Sequence, residues 1–207
     1  VRTVLEGTWT RLEPLDAARH RDALLAASTA PGADARFRYL RNAAPRDAAD
    51  FDAWFAHAAA TDDPLFVAVI DRATGRAEGR QALMRIVPEH GVAEIGHILW
   101  GPAIARTRVA TEALFLVARH VFEALGYRRF EWKCDAANAP SRRAAERFGF
   151  TYEGTFRNHM VIKRRNRDTA WFAMIDAEWP RLAAGYARWL DPSNFDASGT
   201  QRARLAF

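Results

Sequence analysis

The stretch from Val92 to Phe150 constrains this chain more than any other. An alternating run, Val92–Trp100, meets a Gly-Pro break and then a basic loop, Ala105-Arg-Thr-Arg-Val-Ala110. Beyond it, Ala110, Ala113, Leu114, Val117, Ala118, Val121 and Leu125 recur at spacings of three and four, so Thr107–Leu125 reads as a helix with one apolar face. Gly126 stands where a left-handed residue would end that helix. A second strand, Arg129–Asp135, leads through the capping residues of Asp135–Asn138 into a short helix, Ser141–Phe148, stopped by Gly149. A helix that begins in a cationic loop after a strand offers unpaired backbone N–H groups and a partial positive charge. That is a seat for phosphate, which Arg106 and Arg108 reinforce.

The flanking sequence completes an α+β pattern. Thr8–Pro14 reads as a first strand and Leu15–Ser28 as a helix capped by Asp16, with Leu24 and Leu25 on its buried face. Pro31–Asn42 reads as an irregular or short helical lid. Pro45–Ala60 is a second helix, with Phe51, Trp54, Phe55 and Ala58 at helical spacing. Leu65–Asp71, Arg80–Val87 and Val92–Trp100 are strands joined by turns at Arg72–Gly75 and Pro88–Gly91. Thr151–Phe156 and Ala170–Asp176 are the last strands, with a basic turn at Lys163–Arg167, and Ala177–Leu190 is a final helix. Single helices between strands, together with several hairpins, predict an α+β domain on a mixed central sheet. The length of 207 residues suits one domain over 1–190. The tail, 191–207, opens with a segment rich in Asp, Ser, Pro and Gly and is expected to leave the compact body.

Composition narrows the partners. A formal charge of +5 favours anionic ligands such as nucleotides, phosphates or RNA, although most of the arginines read as solvated surface. Seven Trp and thirteen Phe exceed the needs of a minimal core, which leaves some to line a pocket. Cys134 is the only cysteine, so an intrachain disulfide and a Cys-x-x-Cys zinc site are both excluded, and no metal is expected. No apolar run nears the roughly 18 residues that span a bilayer, and no signal-peptide core opens the chain. The expectation is a cytoplasmic protein with no membrane partner.

The order of Ala93-Glu-Ile-Gly96, Ala110-Thr-Glu-Ala113, Asn138-x-x-Ser141, Gly149-Phe150, Glu153-Gly154, Arg157, Asp168 and Glu178-Trp179 resembles the GNAT superfamily of acetyl-CoA-dependent N-acyltransferases. Within it, the nearer likeness is to the ribosomal-protein-alanine N-acetyltransferase branch, over roughly residues 8–190. The resemblance implies a three-layer α/β/α fold with a splayed mixed central sheet. It also implies that acetyl-CoA is the cosubstrate, held by Ile98, Leu99, Trp100, Arg106, Thr107, Arg108, Val109, Ala110, Thr111, Asn138 and Ser141. The family loop reads Gln/Arg-x-x-Gly-x-Gly/Ala, whereas this chain has Ala105 at the first position and Arg108 at the expected glycine. If that glycine needs a positive φ, arginine there costs roughly 1 kcal/mol or more.

Acetyl transfer to an amine requires loss of a proton from the amine, stabilisation of the thioester oxygen and protonation of the leaving thiolate. The resemblance points to Ser141 as the acid. The tyrosine that many superfamily members use would fall at Ala145, and the branch's second carboxylate near Met160, so both are absent; His159 is a neighbouring substitute. Glu94, acting through a water, leads as base, with His97 second. Strict alternation puts the two on opposite faces unless a bulge intervenes. A backbone N–H near Leu99 or Trp100 would meet the oxyanion. Phe37, Tyr39, Trp54 and Trp171 are candidate acceptor-pocket walls. Asp168 and Glu178 are expected to pair with nearby arginines, with contact to a cationic substrate as the alternative, and Cys134 reads as core.

The expected activity is acetyl transfer in a ternary complex to a primary amine, either a small aminoacyl compound or amine, or a peptide N-terminus. A catalytically degenerate acyl-CoA-binding module is the alternative. An RNA- or ribosome-associated protein is a third reading, but no motif for specific nucleic-acid binding supports it. The C-terminal helix and tail offer a surface on which a second copy could pack as a homodimer.

Overall fold

The computed structural model describes residues 2–207. The chain forms two compact units, one of residues up to Ile86 with Glu94–Leu116, the other of Val87–Ala93 with Val117–Phe207.

In the first unit the strands are β1 (Leu5–Glu6), β2 (Thr10–Pro14), β3 (Leu65–Asp71), β4 (Arg76–Val87) and β5 (Val92–Trp100), in spatial order β1-β2-β3-β4-β5. Strand β2 pairs antiparallel with β1 and β3, and β3 with β4. Helices α1 (Ala17–Thr29), α2 (Ala33–Phe37) and α3 (Ala48–Ala60) separate β2 from β3. Both longer helices start on aspartate caps: Asp16 accepts from the Arg19 N–H and Asp47 from the Asp50 N–H, each holding a donor that the helix itself cannot satisfy. Their inner faces meet the sheet through Leu15, Leu24, Phe51, Phe55, Phe66 and Ile70. Burial of each such side chain contributes roughly 1.5–3 kcal/mol. Leu24 is buried as expected, whereas Leu25 is only half-buried. The lid segment holds the one-turn α2, and the short β1 lies ahead of the expected first strand.

Helix α4 (Arg108–Arg119) opens one residue later than expected and passes through a π-turn at His120–Ala124 before Gly126, at φ 65°, ends it. The other elements are β6 (Arg129–Asp135), α5 (Ala139–Arg147), β7 (Thr151–Ile162), β8 (Arg165–Ile175) and α6 (Trp179–Leu190). All lie in the second unit, with strand order β6-β8-β7 and both pairings antiparallel. Strands β7 and β8 extend well beyond the expected segments. Lys163 and Arg164, at φ 47° and 62°, form a tight hairpin turn between them in a conformation that usually takes Asn-Gly.

The tail corrects a sequence expectation: it folds back onto its own unit. Phe195 is buried edge-on against Trp189, whose indole N–H donates to Gln201 at 2.9 Å, and the Phe207 ring lies 5.2 Å from Tyr186. Gly185 makes room for it, since a Cβ there would fall 2.5 Å from Phe207. Phe195 and Phe207 are aromatic anchors in a segment whose polar residues suggested solvent.

Candidate active site

Strand β5 carries the first group of predicted residues. Glu94 is buried and pairs with Arg85 across 3.4 Å. The alternation breaks at His97, which adopts a left-handed φ of 50°, so counting by twos from Glu94 no longer assigns its face. The His97 ring packs on Phe66 at 5.1 Å, and its carbonyl accepts from Arg80 Nη1 at 2.9 Å. Burial, with Arg80, Arg41 and Arg85 nearby, pulls its imidazole down to about 4. His97 is therefore neutral at pH 7, and the same cations oppose any imidazolium formed there. Leu99 is buried and Ile98 half-buried. The Trp100 indole donates to Gln81 at 3.2 Å, and the Gln81 amide donates to the Ala113 carbonyl at 2.8 Å, tying the end of β5 to α4.

The basic loop differs from the sequence expectation in one residue. Arg108 is helical; the left-handed residue is Arg106, at φ 67° and exposed. The strain of roughly 1 kcal/mol or more therefore falls two positions earlier. The Arg108 guanidinium lies 3.7 Å from the Trp9 ring centre. The Thr107 hydroxyl caps the helix by accepting from the Val109 N–H at 3.2 Å, and the Thr111 hydroxyl donates to the Thr107 carbonyl at 3.2 Å. Intrahelical bonding reaches this end only with Thr111, so the Ala110 N–H keeps its capacity for an anion.

Asn138 and Ser141 belong to the second unit. The Asn138 side-chain oxygen accepts from the Ser141 N–H at 3.2 Å, which makes Asn138 the cap of α5 and leaves its amide nitrogen available. The Trp132 indole donates to the Ser141 Oγ at 3.0 Å. Because that N–H occupies a lone pair, the hydroxyl proton is directed away from it. Burial pushes the neighbouring Cys134 thiol up, an effect that the Ser141 hydroxyl partly offsets. Ser141 is thus half-buried and oriented by a neighbour. Cys134 is core, as expected.

Two buried charges in the first unit had no signal in the sequence. Glu112 is 4% exposed and accepts the backbone N–H groups of Thr8, Trp9 and Thr10 at 2.8, 2.6 and 2.7 Å. A Cβ on Gly7 would fall 2.5 Å from the same carboxylate. Arg80 is 1% exposed, lies 4.2 Å from the Trp54 ring centre, and has no partner for Nε or Nη2. It lines a cavity of about 210 Å³ with Phe37, Phe51 and Trp54. Phe37 and Trp54, two of the candidate acceptor-pocket walls, thus line one cavity. Tyr39 and Trp171 do not line this cavity. Trp171 lies in the second unit beneath Lys133, 3.8 Å from its ring centre. Among the described residues, no group of three His, Cys, Asp or Glu side chains is arranged to hold a metal ion.

The model of the acetyltransferase (GNAT) domain matches residues 10–151. The chain belongs to the GNAT acetyltransferase family. A GCN5-related N-acetyltransferase from Brucella melitensis is 56% identical, with a TM-score of 0.97 over 99% of this chain and 93% of that one. A GNAT-family acetyltransferase structure from Chromobacterium violaceum is 43% identical, with a TM-score of 0.80 over 87% of this chain and 89% of that one. An acetyltransferase from Salmonella typhimurium that modifies the N-terminal serine of a 50S ribosomal subunit protein is 18% identical, with a TM-score of 0.72 over 84% of this chain and 99% of that one. At that identity the likeness shows the fold alone. No curated protein matches the chain.

The α+β architecture is thus the GNAT fold, and the chain is an N-acetyltransferase of that family. Its departures from the family pattern have structural counterparts. Ala145, at the position of the superfamily tyrosine, is the fully buried residue of α5. His159, beside the missing carboxylate, hydrogen-bonds the Thr169 hydroxyl at 2.9 Å. Asp168 feels the charge of nearby Arg157 but, like Glu178, takes its hydrogen bonds from elsewhere. Asp168 accepts from the Asn158 N–H and the Asn166 amide, which hold its carboxyl below the usual range, and Glu178 accepts from the Ile175 N–H. No helix among the described residues is long and apolar enough to cross a membrane.

Proposed function

We propose that this GNAT protein transfers the acetyl group of acetyl-CoA to a primary amine directly, within a ternary complex. The amine nitrogen attacks the thioester carbonyl, the C–S bond breaks, and the departing thiolate takes a proton. Ser141 is the assigned donor to that thiolate. The observation that carries this assignment is the Trp132 N–H on its oxygen, which fixes the hydroxyl and sends its proton elsewhere. A thiol of ordinary pKa, about 8.5, is a tolerable leaving group, so a hydroxyl donor suffices.

Glu94, through a water, is the assigned proton acceptor. Burial and the nearby Arg80, Arg41 and Arg85 hold the His97 imidazole down to about 4, which makes it a weak base, and Glu94 is the carboxylate on the same strand. Arg106, Thr107, Arg108, Val109, Ala110 and Thr111 are assigned to the coenzyme phosphates, with Asn138 as a further contact and Ile98, Leu99 and Trp100 along the pantetheine arm. The Ala110 N–H and the cationic loop suit an anion there.

The test is acetyl-CoA turnover across a panel of amines, read as free thiol and as acetylated product in equal amounts. Ser141→Ala is expected to lower kcat about 10- to 100-fold while weakening calorimetric acetyl-CoA affinity far less. A kcat within about twofold of wild type would remove Ser141 from the chemistry. Tight coenzyme binding with no turnover of any amine would instead favour the acyl-CoA-binding module.

A further inference from the structure

The cavity floored by Arg80 has a chemistry that the transfer reaction itself does not require. It lies wholly in the first unit, bounded by α1, the lid segment, α3 and β4. Its walls are Phe37, Phe51 and Trp54. Its buried donors are Arg80 and the Ser28 hydroxyl, with Asn42 and Arg46 also on the lining. The one acidic residue on its lining, Asp50, is neutralised by a bidentate pair with Arg46, at 2.5 and 2.7 Å. Among the described residues on this lining, none leaves an anion to meet Arg80.

The engaged and idle atoms of Arg80 fall on different edges of the guanidinium. Nη1 donates to the His97 carbonyl, whereas Nε and Nη2 are buried without a partner. Those two nitrogens present parallel N–H bonds along one edge, the fork that matches the two oxygens of a carboxylate. A buried cation with an idle fork is costly to keep, and its cost is recovered when an anion of matching shape arrives. A carboxylate fits better than a phosphate dianion: among the described residues on the lining, Arg46 is taken up by Asp50, which leaves Arg80 as the cation for a ligand, beside aromatic walls and about 210 Å³.

We infer that Arg80 is a specificity-determining residue that binds the carboxylate of the acceptor, so that the substrates are primary amines carrying a carboxylate, of amino-acid size. This rests on the acetyl-transfer reading for the amine, while the carboxylate site itself stands apart from it. The link between the two is His97: its carbonyl anchors Arg80, and it lies in the strand assigned to the acetyl thioester.

The test uses the full chain as wild type, Arg80→Met and Arg80→Lys. Thermal melting is followed with phenylacetate and with phenylacetamide at equal ionic strength, without coenzyme. Phenylacetate is expected to raise the wild-type melting temperature, phenylacetamide to leave it nearly unchanged, and Arg80→Met to abolish the difference. Equal responses of wild type to the acid and the amide would overturn the inference, whatever the variants do. The same comparison is then made in turnover with amino acids and their amides. The acid is expected to be favoured at least about 100-fold in kcat/KM, mainly through KM, and Arg80→Met to erase that preference, with Arg80→Lys restoring part of it. A carboxylate-specific melting shift without any acetylation would sustain the carboxylate site at Arg80, defeat the transfer reading and overturn the assignment of that site to an acceptor. Acetylation that is indifferent to the carboxylate would sustain transfer and defeat this inference.

Discussion

Glu112 and Arg80 are both buried charges in the same unit, and they are provided for in opposite ways. Glu112 accepts three backbone N–H groups from the turn that leads into β2, and Gly7 is bare so that the carboxylate fits. Arg80 makes one hydrogen bond, to a carbonyl, and stacks on Trp54 while two nitrogens stay idle beside a cavity. A buried charge whose bonding capacity is filled from within the fold holds the fold together. One left partly unfilled costs stability and is kept for something that binds. The difference separates a residue that shapes the site's scaffold from one that selects what enters it.

The largest expected effect lies on the satisfied side. Glu112→Gln places an amide N–H₂ against donors and removes the charge that three N–H groups share. The loss is expected to be about 2–4 kcal/mol, or a melting temperature lower by roughly 5–15 °C in a chain of this size. A fall of only about 1–2 °C would break the contrast with Arg80. Gly7→Ala attacks the same clasp sterically. It is expected to cost about 1–3 kcal/mol in urea denaturation and, paired with Glu112→Gln, to be non-additive; additive losses would mean that the two residues act separately.

An intermediate effect concerns the carbonyl partner of Arg80. The His97 imidazole sits at about 4 in the folded protein against about 6.5 when unfolded. The unfolded chain therefore binds more protons between those values. His97 makes stability fall as pH drops from about 6.5 toward 4, with little change from it outside that window. His20, also lowered by burial, acts in the same direction, so the readout is the difference between wild type and His97→Asn. The variant should show a shallower decline, measured by urea midpoints across the window. Parallel curves would show that His97 does not titrate in the way its burial requires. The smallest effect is at Arg106, where glycine relieves a left-handed arginine. Arg106→Gly should be as stable as wild type or up to about 1 kcal/mol more stable, even as coenzyme affinity weakens through the lost cation.

Periodicity and punctuation made much of the fold legible. Strands β3, β5 and β6 fall where alternation and flanking turns place them, and Asp16, Gly126 and Asn138 mark helix ends through local chemistry that a sequence displays. The β7–β8 ribbon was not legible, because β7 has no buried residue and so no apolar alternation, and its turn uses Lys163-Arg164 where Gly or Asn would have signalled it. Ser141 was found through its cap spacing and family likeness. The indole that orients it comes from Trp132, nine positions away on a strand, and leaves no motif. Arg80 and Glu112 each read as an ordinary charge, on a strand and a helix respectively. What distinguishes them is a count of filled and unfilled hydrogen-bond positions, which exists only once the chain has folded.

The most direct measurement is the unfolding free energy of Arg80→Met beside wild type and Glu112→Gln, in buffer without carboxylates. Arg80→Met should match wild type within about 1 kcal/mol or exceed it, since an idle buried cation is traded for an apolar chain of similar length, at the loss of one hydrogen bond and a stacking contact. A loss of about 2 kcal/mol or more, in the range expected for Glu112→Gln, would show that Arg80 is part of the scaffold and that the cavity beside it is not kept for a ligand.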